Sequence, residues 1–364
     1  MGEGDSRMNQ TPQKQPHQYL LYEVTKKCQN QCVFCYNVWK EDDHYPQKEL
    51  STSESLALID KVIEETGCKF IGLTGGEPLL RKDIFEMAAR ISAKGVVPIL
   101  ISNGALLTKD SVRKLIKSGV TDFEVSIHSH EREIHDELVG RDGSYDEALD
   151  AILNVKELGG NVSAVFVATK RNIGGLKAYV EVCALLKVTW ILFNRVACGG
   201  TCVADFPALA PSPSELRAAL DEAAPLADKY KIGFGAGVQI QPCLLDLSRY
   251  ANVRTSFCPL NNVEGGRTYF AIDPSGNLRM CNRSRILLGN LREGRFADIA
   301  DCREVREFGR AVPEFCLDCD LAHVCAGGCK ADALACHGTL TKPDPYLEMW
   351  RGEVRKKSVE VRKA

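Results

Sequence analysis

The sequence predicts an α/β protein in which strand and helix alternate six times ahead of a cysteine-rich C-terminal region. Three observations carry this. From Tyr19 short apolar runs alternate with amphipathic segments. Residues 19–195 divide into six units of about 30 residues, the length of a strand–helix repeat. After about residue 240 helical periodicity fades, and nine cysteines fall between Cys243 and Cys336. Repeated strand-then-helix order implies parallel strands with right-handed crossovers. Periodicity leaves a partial barrel and an open sheet as alternatives; in both, chemistry sits at the C-terminal ends of strands.

Residues 1–17 are polar, lack a hydrophobic period and read as a disordered tail. Strands are expected at 19–25, 68–74, 96–102, 122–128, 161–169 and 189–195. Ser51 with Glu54 reads as a capping box for a helix carrying Leu56, Ile59, Val62 and Ile63 and stopping at Gly67. Ile84, Met87, Ala88 and Ile91 keep helical spacing up to Gly95. Ser144 with Glu147 reads as a second box, ahead of Leu149, Ile152 and Leu153. This core domain spans 18–211 and ends in a Gly/Pro-rich break at 198–211. Ser212 as cap and Pro213 at the first turn then open a connecting helix and strand, 212–239. Residues 240–340 carry too little apolar mass to fold without bound metal. Residues 341–364 mix Tyr346, Leu347 and Trp350 with basic residues and read as a terminal helix.

The chain has 364 residues, with 46 Lys plus Arg against 48 Asp plus Glu, a net charge of −2. That balance excludes a generally basic, nucleic-acid-coating protein. No apolar run reaches the ~18 residues of a membrane span, and no signal-peptide core is visible. The 16 cysteines, without a secretory signal, therefore read as metal ligands in a reducing cytoplasm.

Cys28-x3-Cys32-x2-Cys35 follows the first strand. Three thiolates on one tight loop can converge on a metal centre with a position left open, whereas closed structural sites use four ligands. A zinc loop completed from a distance is the alternative. Gly75-Gly76-Glu77-Pro78 ends the second strand; its glycines allow close backbone approach, and it lacks the Lys and Ser/Thr of a phosphate loop. Downstream, Cys316-x2-Cys319-x5-Cys325-x3-Cys329 with Cys336 beyond, and Cys258 and Gly276-x4-Cys281 before it, make up seven to eight thiols. Four of them can hold one zinc; the full number matches two four-ligand centres.

The triad, with Phe34 before its third cysteine, and the Gly-Gly-Glu-Pro turn resemble the radical S-adenosylmethionine (SAM) superfamily across about 19–200. The resemblance implies a partial (β/α)6 TIM-like barrel with a [4Fe-4S] cluster on Cys28, Cys32 and Cys35. SAM would chelate its open iron and be cleaved to a 5′-deoxyadenosyl radical that abstracts hydrogen from substrate. By the same resemblance Glu77 with the Gly75 and Gly76 backbone meets the SAM amine, Ser126 the ribose and Arg195 the carboxylate, while Ser102 and Asn103 line the site. His128 stands where many relatives carry aspartate, and Arg141 is the substitute for an arginine expected near Val139. The downstream array resembles the SPASM extension of peptide-modifying members. It implies auxiliary [4Fe-4S] clusters on Cys316, Cys319, Cys325 and Cys336, and on Cys258, Cys281 and Cys329 with Cys243, a non-cysteine residue or an open site as the fourth position.

Three clusters and SAM then imply oxidative modification of a ribosomally made peptide by crosslinking, dehydrogenation, decarboxylation or rearrangement. A flavodoxin- or ferredoxin-type donor would supply electrons. Only about 17 residues precede the first strand, which points to a separate leader-binding partner protein or to direct contact of the leader with the SPASM region. Modification of a tetrapyrrole side chain and sulfatase maturation are alternatives, as is a zinc-bound scaffold. Asp273 and the loop thiols Cys198 and Cys202 are catalytic candidates; Cys68 and Cys183 read as small core residues.

Overall fold

The computed structural model describes residues 19–40, 44–46, 48–258, 260 and 269–354. The polar segment 1–17 and the last part of the expected terminal helix lie outside the described residues.

Strand β1 (Tyr19–Thr25) leads through the cysteine loop to α1 (Thr52–Thr66), β2 (Phe70–Gly75), α2 (Ile84–Ala93), β3 (Val97–Ser102), α3 (Lys109–Lys117) and β4 (Asp122–Ser126). A helix pair, α4 (Arg132–Val139) and α5 (Ser144–Glu157), precedes β5 (Asn161–Ala168), α6 (Leu176–Leu185) and β6 (Trp190–Arg195). All six expected strands form, and neighbours pair in parallel. After α7 (Phe206–Leu209) and α8 (Pro213–Lys229), β7 (Gly233–Ala236) and β8 (Val253–Thr255) extend the β6 edge, again in parallel. The cysteine-rich region returns to the opposite edge. There β9 (Tyr269–Ile272) pairs in parallel with β1, and β10 (Asn277–Arg279) and β11 (Leu287–Asn290) continue antiparallel. β7 falls in the connecting helix and strand expected at 212–239; β8 to β11 are three or four residues long, too short for alternation to reveal them. Short helices α9 (Phe296–Ala300), α10 (Arg303–Arg310), α11 (Ala322–Cys325), α12 (Lys330–His337) and α13 (Pro345–Met349) complete the described chain.

From β3 to β6 the core strands alternate in burial, while β1 is buried along nearly its whole length and β2 over its middle. On β5, Val162, Ala164, Phe166 and Ala168 are fully buried in the core, while Val165 and Val167 line a central cavity. Leu21, Thr74, Ile101, Glu124 and Leu192 reach the same cavity from the other five core strands. A flat sheet cannot aim six strands at one space of about 630 Å³, so the sheet curls into a partial barrel whose edges are β8 and β11.

The expected box at Ser51 forms, and Ser212, expected as a cap, makes a box with Glu215 as well. Ser51 and Glu54 exchange backbone-to-side-chain hydrogen bonds at 2.8 and 3.3 Å, and Ser212 and Glu215 do so at 2.7 and 3.2 Å. The second expected box is corrected: Ser144 is the first residue of α5, and its buried hydroxyl has no partner. Asp136 caps that helix from α4 instead, accepting from the N–H groups of Gly143 (2.7 Å) and Tyr145 (2.8 Å). Glu147 is turned to Arg141.

Candidate active site

The triad loop is clamped from two sides. Gln31 and Val33 donate backbone hydrogen bonds to Val139 and Leu138 at the end of α4, at 2.9 and 3.0 Å. On the other side Thr201 donates to the Cys35 carbonyl at 3.0 Å. Gly200 has φ +53°, and a Cβ there would sit 2.3 Å from that same carbonyl oxygen, so only glycine lets the turn close onto the loop. Cys28, Cys32 and Cys35 all line the cavity. Burial pushes the Cys32 thiol up to about 12, with the neighbouring Cys35 and Cys28 charges adding to it. Burial raises the Cys28 thiol as well, and thiols that resist ionisation fit a cationic centre, whose charge reverses that balance.

The Gly75-Gly76 turn is pressed onto the end of β1. Cβ atoms there would lie 2.3 Å from the Thr25 carbonyl oxygen and 2.1 Å from that of Lys27. Gly76 and Glu77 donate to those two oxygens at 2.7 Å each. Both glycines line the cavity, so their backbone is open to a ligand. The Glu77 side chain is not. It is fully buried, accepting from Ser102 Oγ (2.9 Å), Asn103 N (2.9 Å) and Leu79 N (3.2 Å). Burial pushes it up to about 7. Its carboxyl ties the ends of β2 and β3 together beside the two cavity-lining glycines. Ser102, Asn103 and Ser126 line the cavity, as does Phe34, which meets His128 edge-on at 4.7 Å.

The downstream thiols fall into two sets. Cys258, Cys281 and Cys329 line the same cavity as the triad. Burial raises the Cys258 and Cys329 thiols, and the charge on Cys281 adds to both. The second set is Cys243, Cys316, Cys319 and Cys325. Burial pushes Cys243 and Cys316 up to about 11 and Cys325 up to about 12, and in each the next influence is another member of the set. Cys243 thus stands with Cys316, Cys319 and Cys325, a correction of its expected place beside Cys258. Cys336 is corrected as well: it is joined to Cys198 in a disulfide. Among the described residues no three His, Cys, Asp or Glu side chains converge on a single-ion site. A cubane, with each thiolate on a different iron, spreads its ligands more widely.

Residues 22–178 match the family model of the radical SAM superfamily, and 258–320 match the iron–sulfur cluster-binding domain named SPASM. This chain is a radical SAM protein with a SPASM region. Such domains imply [4Fe-4S] clusters and SAM. The chain is similar to the PqqA peptide cyclase of Granulibacter bethesdensis, 27% identical over 91% of this chain and 87% of the relative. It is similar in equal measure to the AdoMet-dependent heme synthase of Methanosarcina barkeri, 28% identical over 90% and 95%. Its fold resembles that of Streptococcus suis SuiB bound to precursor peptide SuiA, with a TM-score of 0.69 and 16% identity over 91% of this chain and 75% of that one.

Three expected site residues of this radical SAM protein have other partners. Arg195 touches the cavity, but its buried guanidinium is bound to Asp344, Asp332 and the Gln239 and Val196 carbonyls. Asp273 is fully buried in the β9–β10 turn, accepting from Tyr45 Oη (2.8 Å), Ser275 N (2.9 Å) and Asn277 N (2.8 Å). Cys198 is consumed in its disulfide, and Cys202 is fully buried. His128 accepts from Val167 N at 3.2 Å, and burial holds its pKa well below the ordinary range, so it stays neutral. Arg141 is bound to Asn30 Oδ1 at 2.7 Å and to Glu147.

Sequence reasoning missed Glu124, the one carboxylate among the described residues lining the cavity. It stands two residues before Ser126, so strand alternation alone puts both on one face. Burial pushes it up to about 7, with Asp122 adding to the shift. Nearby, Asn282 donates to Tyr36 Oη at 2.7 Å and accepts from Tyr269 Oη at 2.6 Å. Arg283 also lines the cavity; its buried Nη1 makes no hydrogen bond and faces Asp332 Oδ1 at 3.9 Å. These come from segments far apart in sequence and carried no local signal.

Proposed function

We propose that this radical SAM protein carries out a net oxidation of a ribosomally made peptide, with the reacting side chain inserted into the barrel. The observation that carries the reading is that the triad and the Cys258, Cys281 and Cys329 set line one cavity. Cys28, Cys32 and Cys35 would hold the SAM-binding cluster, and the two downstream sets would hold auxiliary clusters. When bound, cluster and SAM supply hydrogen-atom abstraction, and the auxiliary centres supply a sink for the electron left behind.

The chain's own residues do the rest. The Gly75 and Gly76 backbone, Ser102, Asn103 and Ser126 offer polar contacts to SAM at the strand ends. Glu124 takes the proton released as the substrate C–H is oxidised, while Tyr36, Asn282 and Tyr269 orient the bound group. Arg283, held at 3.9 Å from Asp332 without a hydrogen bond from Nη1, offers that N–H to a carboxylate or carbonyl. A space of about 630 Å³ is that of one drug-sized ligand. Shared with SAM, it suits a peptide side chain better than a whole macrocycle, and the relatives that act on or bind peptides agree with this. A tetrapyrrole side chain is the second reading, favoured by the Arg283 guanidinium on the cavity wall and by the heme synthase relative. Thiol-rich centres suit a reducing cytoplasm and a flavodoxin- or ferredoxin-type donor, and a leader-binding partner would deliver the peptide. Among the described residues no helix is long and apolar enough to cross a membrane.

The test is anaerobic turnover with dithionite and SAM, offering a short peptide encoded beside the gene and, separately, iron coproporphyrin. Peptide product lighter by two hydrogens, formed alongside 5′-deoxyadenosine, supports the first reading. A mass change in the porphyrin alone replaces it with the second.

A further inference from the structure

The position of Cys243 carries one step more. It lies in the turn 241–245, where Leu244 and Leu245 both donate to the Gln241 carbonyl at 3.0 Å. This turn is docked onto the segment that contains Cys325. Gln239 Nε2 donates to the Cys325 carbonyl at 2.9 Å and to its Sγ at 3.0 Å. A Cβ on Gly328 would lie 2.1 Å from Gln241 Nε2, and one on Gly327 would lie 3.5 Å from Cys316 Sγ. The strand-to-turn segment bearing Cys243 and the loop bearing Cys316 and Cys325 are therefore one packed unit.

Cys336 stands elsewhere. It is on α12, seven residues or about 10 Å along the helix from Cys329, which caps that helix. Its sulfur meets Cys198, just past the end of β6. Beside it, Arg195 binds Asp332 of the same helix at 3.5 Å. The Cys198–Cys336 contact thus belongs to the seam between α12 and the barrel.

We infer that Cys243, and not Cys336, is the fourth ligand of the iron–sulfur centre on Cys316, Cys319 and Cys325, while Cys198 and Cys336 form a structural thiol pair fastening α12 to β6. This rests on the auxiliary-cluster reading above.

The test uses the full chain, reconstituted anaerobically in dithiothreitol, with iron and sulfide analysis and low-temperature EPR after dithionite reduction. Wild type should hold roughly twelve irons. Cys243→Ala and Cys316→Ala should each lose one third of the iron and the same EPR component, with the triad signal kept. Cys336→Ala should lose none. Loss in Cys336→Ala with full iron in Cys243→Ala overturns the assignment. Should Cys243→Ala fail to fold, iodoacetamide tagging of wild type decides. Cys243 should be tagged only once ferricyanide and EDTA strip the iron, and Cys336 should be tagged after reduction with iron still bound; the reverse pattern overturns the inference. Wild type holding about four irons would remove the auxiliary-cluster reading itself, and the assignment with it.

Discussion

Arg195 reaches from the end of the sixth strand to Asp344, whose carboxylate also accepts the Cys329 backbone N–H at 2.8 Å and the Tyr346 N–H at 2.8 Å. One buried ion pair thereby sets the position of a cavity-lining thiol and of the C-terminal segment together. Removing one partner of a buried pair leaves the other charge uncompensated and costs about 3–5 kcal/mol. Arg195→Met and Asp344→Asn should each lose stability of that order in anaerobic urea unfolding, and lose iron from the set containing Cys329. The double variant should recover part of the stability. Single variants as stable as wild type would show that the pair does not hold this seam.

Gly76 makes a second prediction, about SAM. Its Cβ would come 2.1 Å from the Lys27 carbonyl oxygen, a backbone atom with little room to move because Glu77 N–H is bound to it. Gly76→Ala must push β1 and β2 apart where both glycines face the cavity. Overpacking of this kind costs about 1–3 kcal/mol. SAM affinity measured by equilibrium dialysis should fall about 5- to 150-fold, following from that energy, while the iron of the downstream sets stays. Unchanged affinity would remove the turn from the SAM site.

Much of this was legible in the sequence because it is local. The six core strands follow from apolar runs and turn signals, and the triad from spacing. What was not legible depends on distant segments. Ser144 and Glu147 have the spacing of a capping box, but Asp136 from the preceding helix reached the N–H groups of α5 first. Arg195 sits at a strand end facing the cavity in sequence terms, and only the approach of Asp332 and Asp344, 137 and 149 residues later, commits it to structure. The same holds for Cys336, whose partner Cys198 is 138 residues away.

The capping contrast is measurable. Ser212→Ala removes a hydroxyl that accepts from Glu215 N at 3.2 Å and should cost about 1 kcal/mol. Ser144→Ala removes a buried hydroxyl with no partner, so it should be neutral or slightly stabilising. Equal losses from the two variants, in chemical denaturation, would mean that Ser144 caps α5 after all.

Glu124 gives the prediction closest to the chemistry. Its ordinary value near 4.5 is pushed up to about 7 by burial. A proton acceptor works only when ionised, so product formation at saturating SAM should rise as pH climbs through about 7 and level off above it. Glu124→Gln should flatten that limb and lower product formation by ~10²–10⁴-fold, the usual worth of a general base. Cleavage of SAM to 5′-deoxyadenosine should persist, because hydrogen abstraction precedes proton loss. The stability sign follows from the same shift. A folded value above the unfolded one makes ionisation costly to the native state, absent below about 4.5 and full above about 7. Glu124→Gln should therefore be more stable than wild type at pH 8 and no more stable at pH 4. Parallel loss of deoxyadenosine and product would instead make Glu124 a SAM-binding residue, and an unchanged pH limb in the variant would assign the proton to another group.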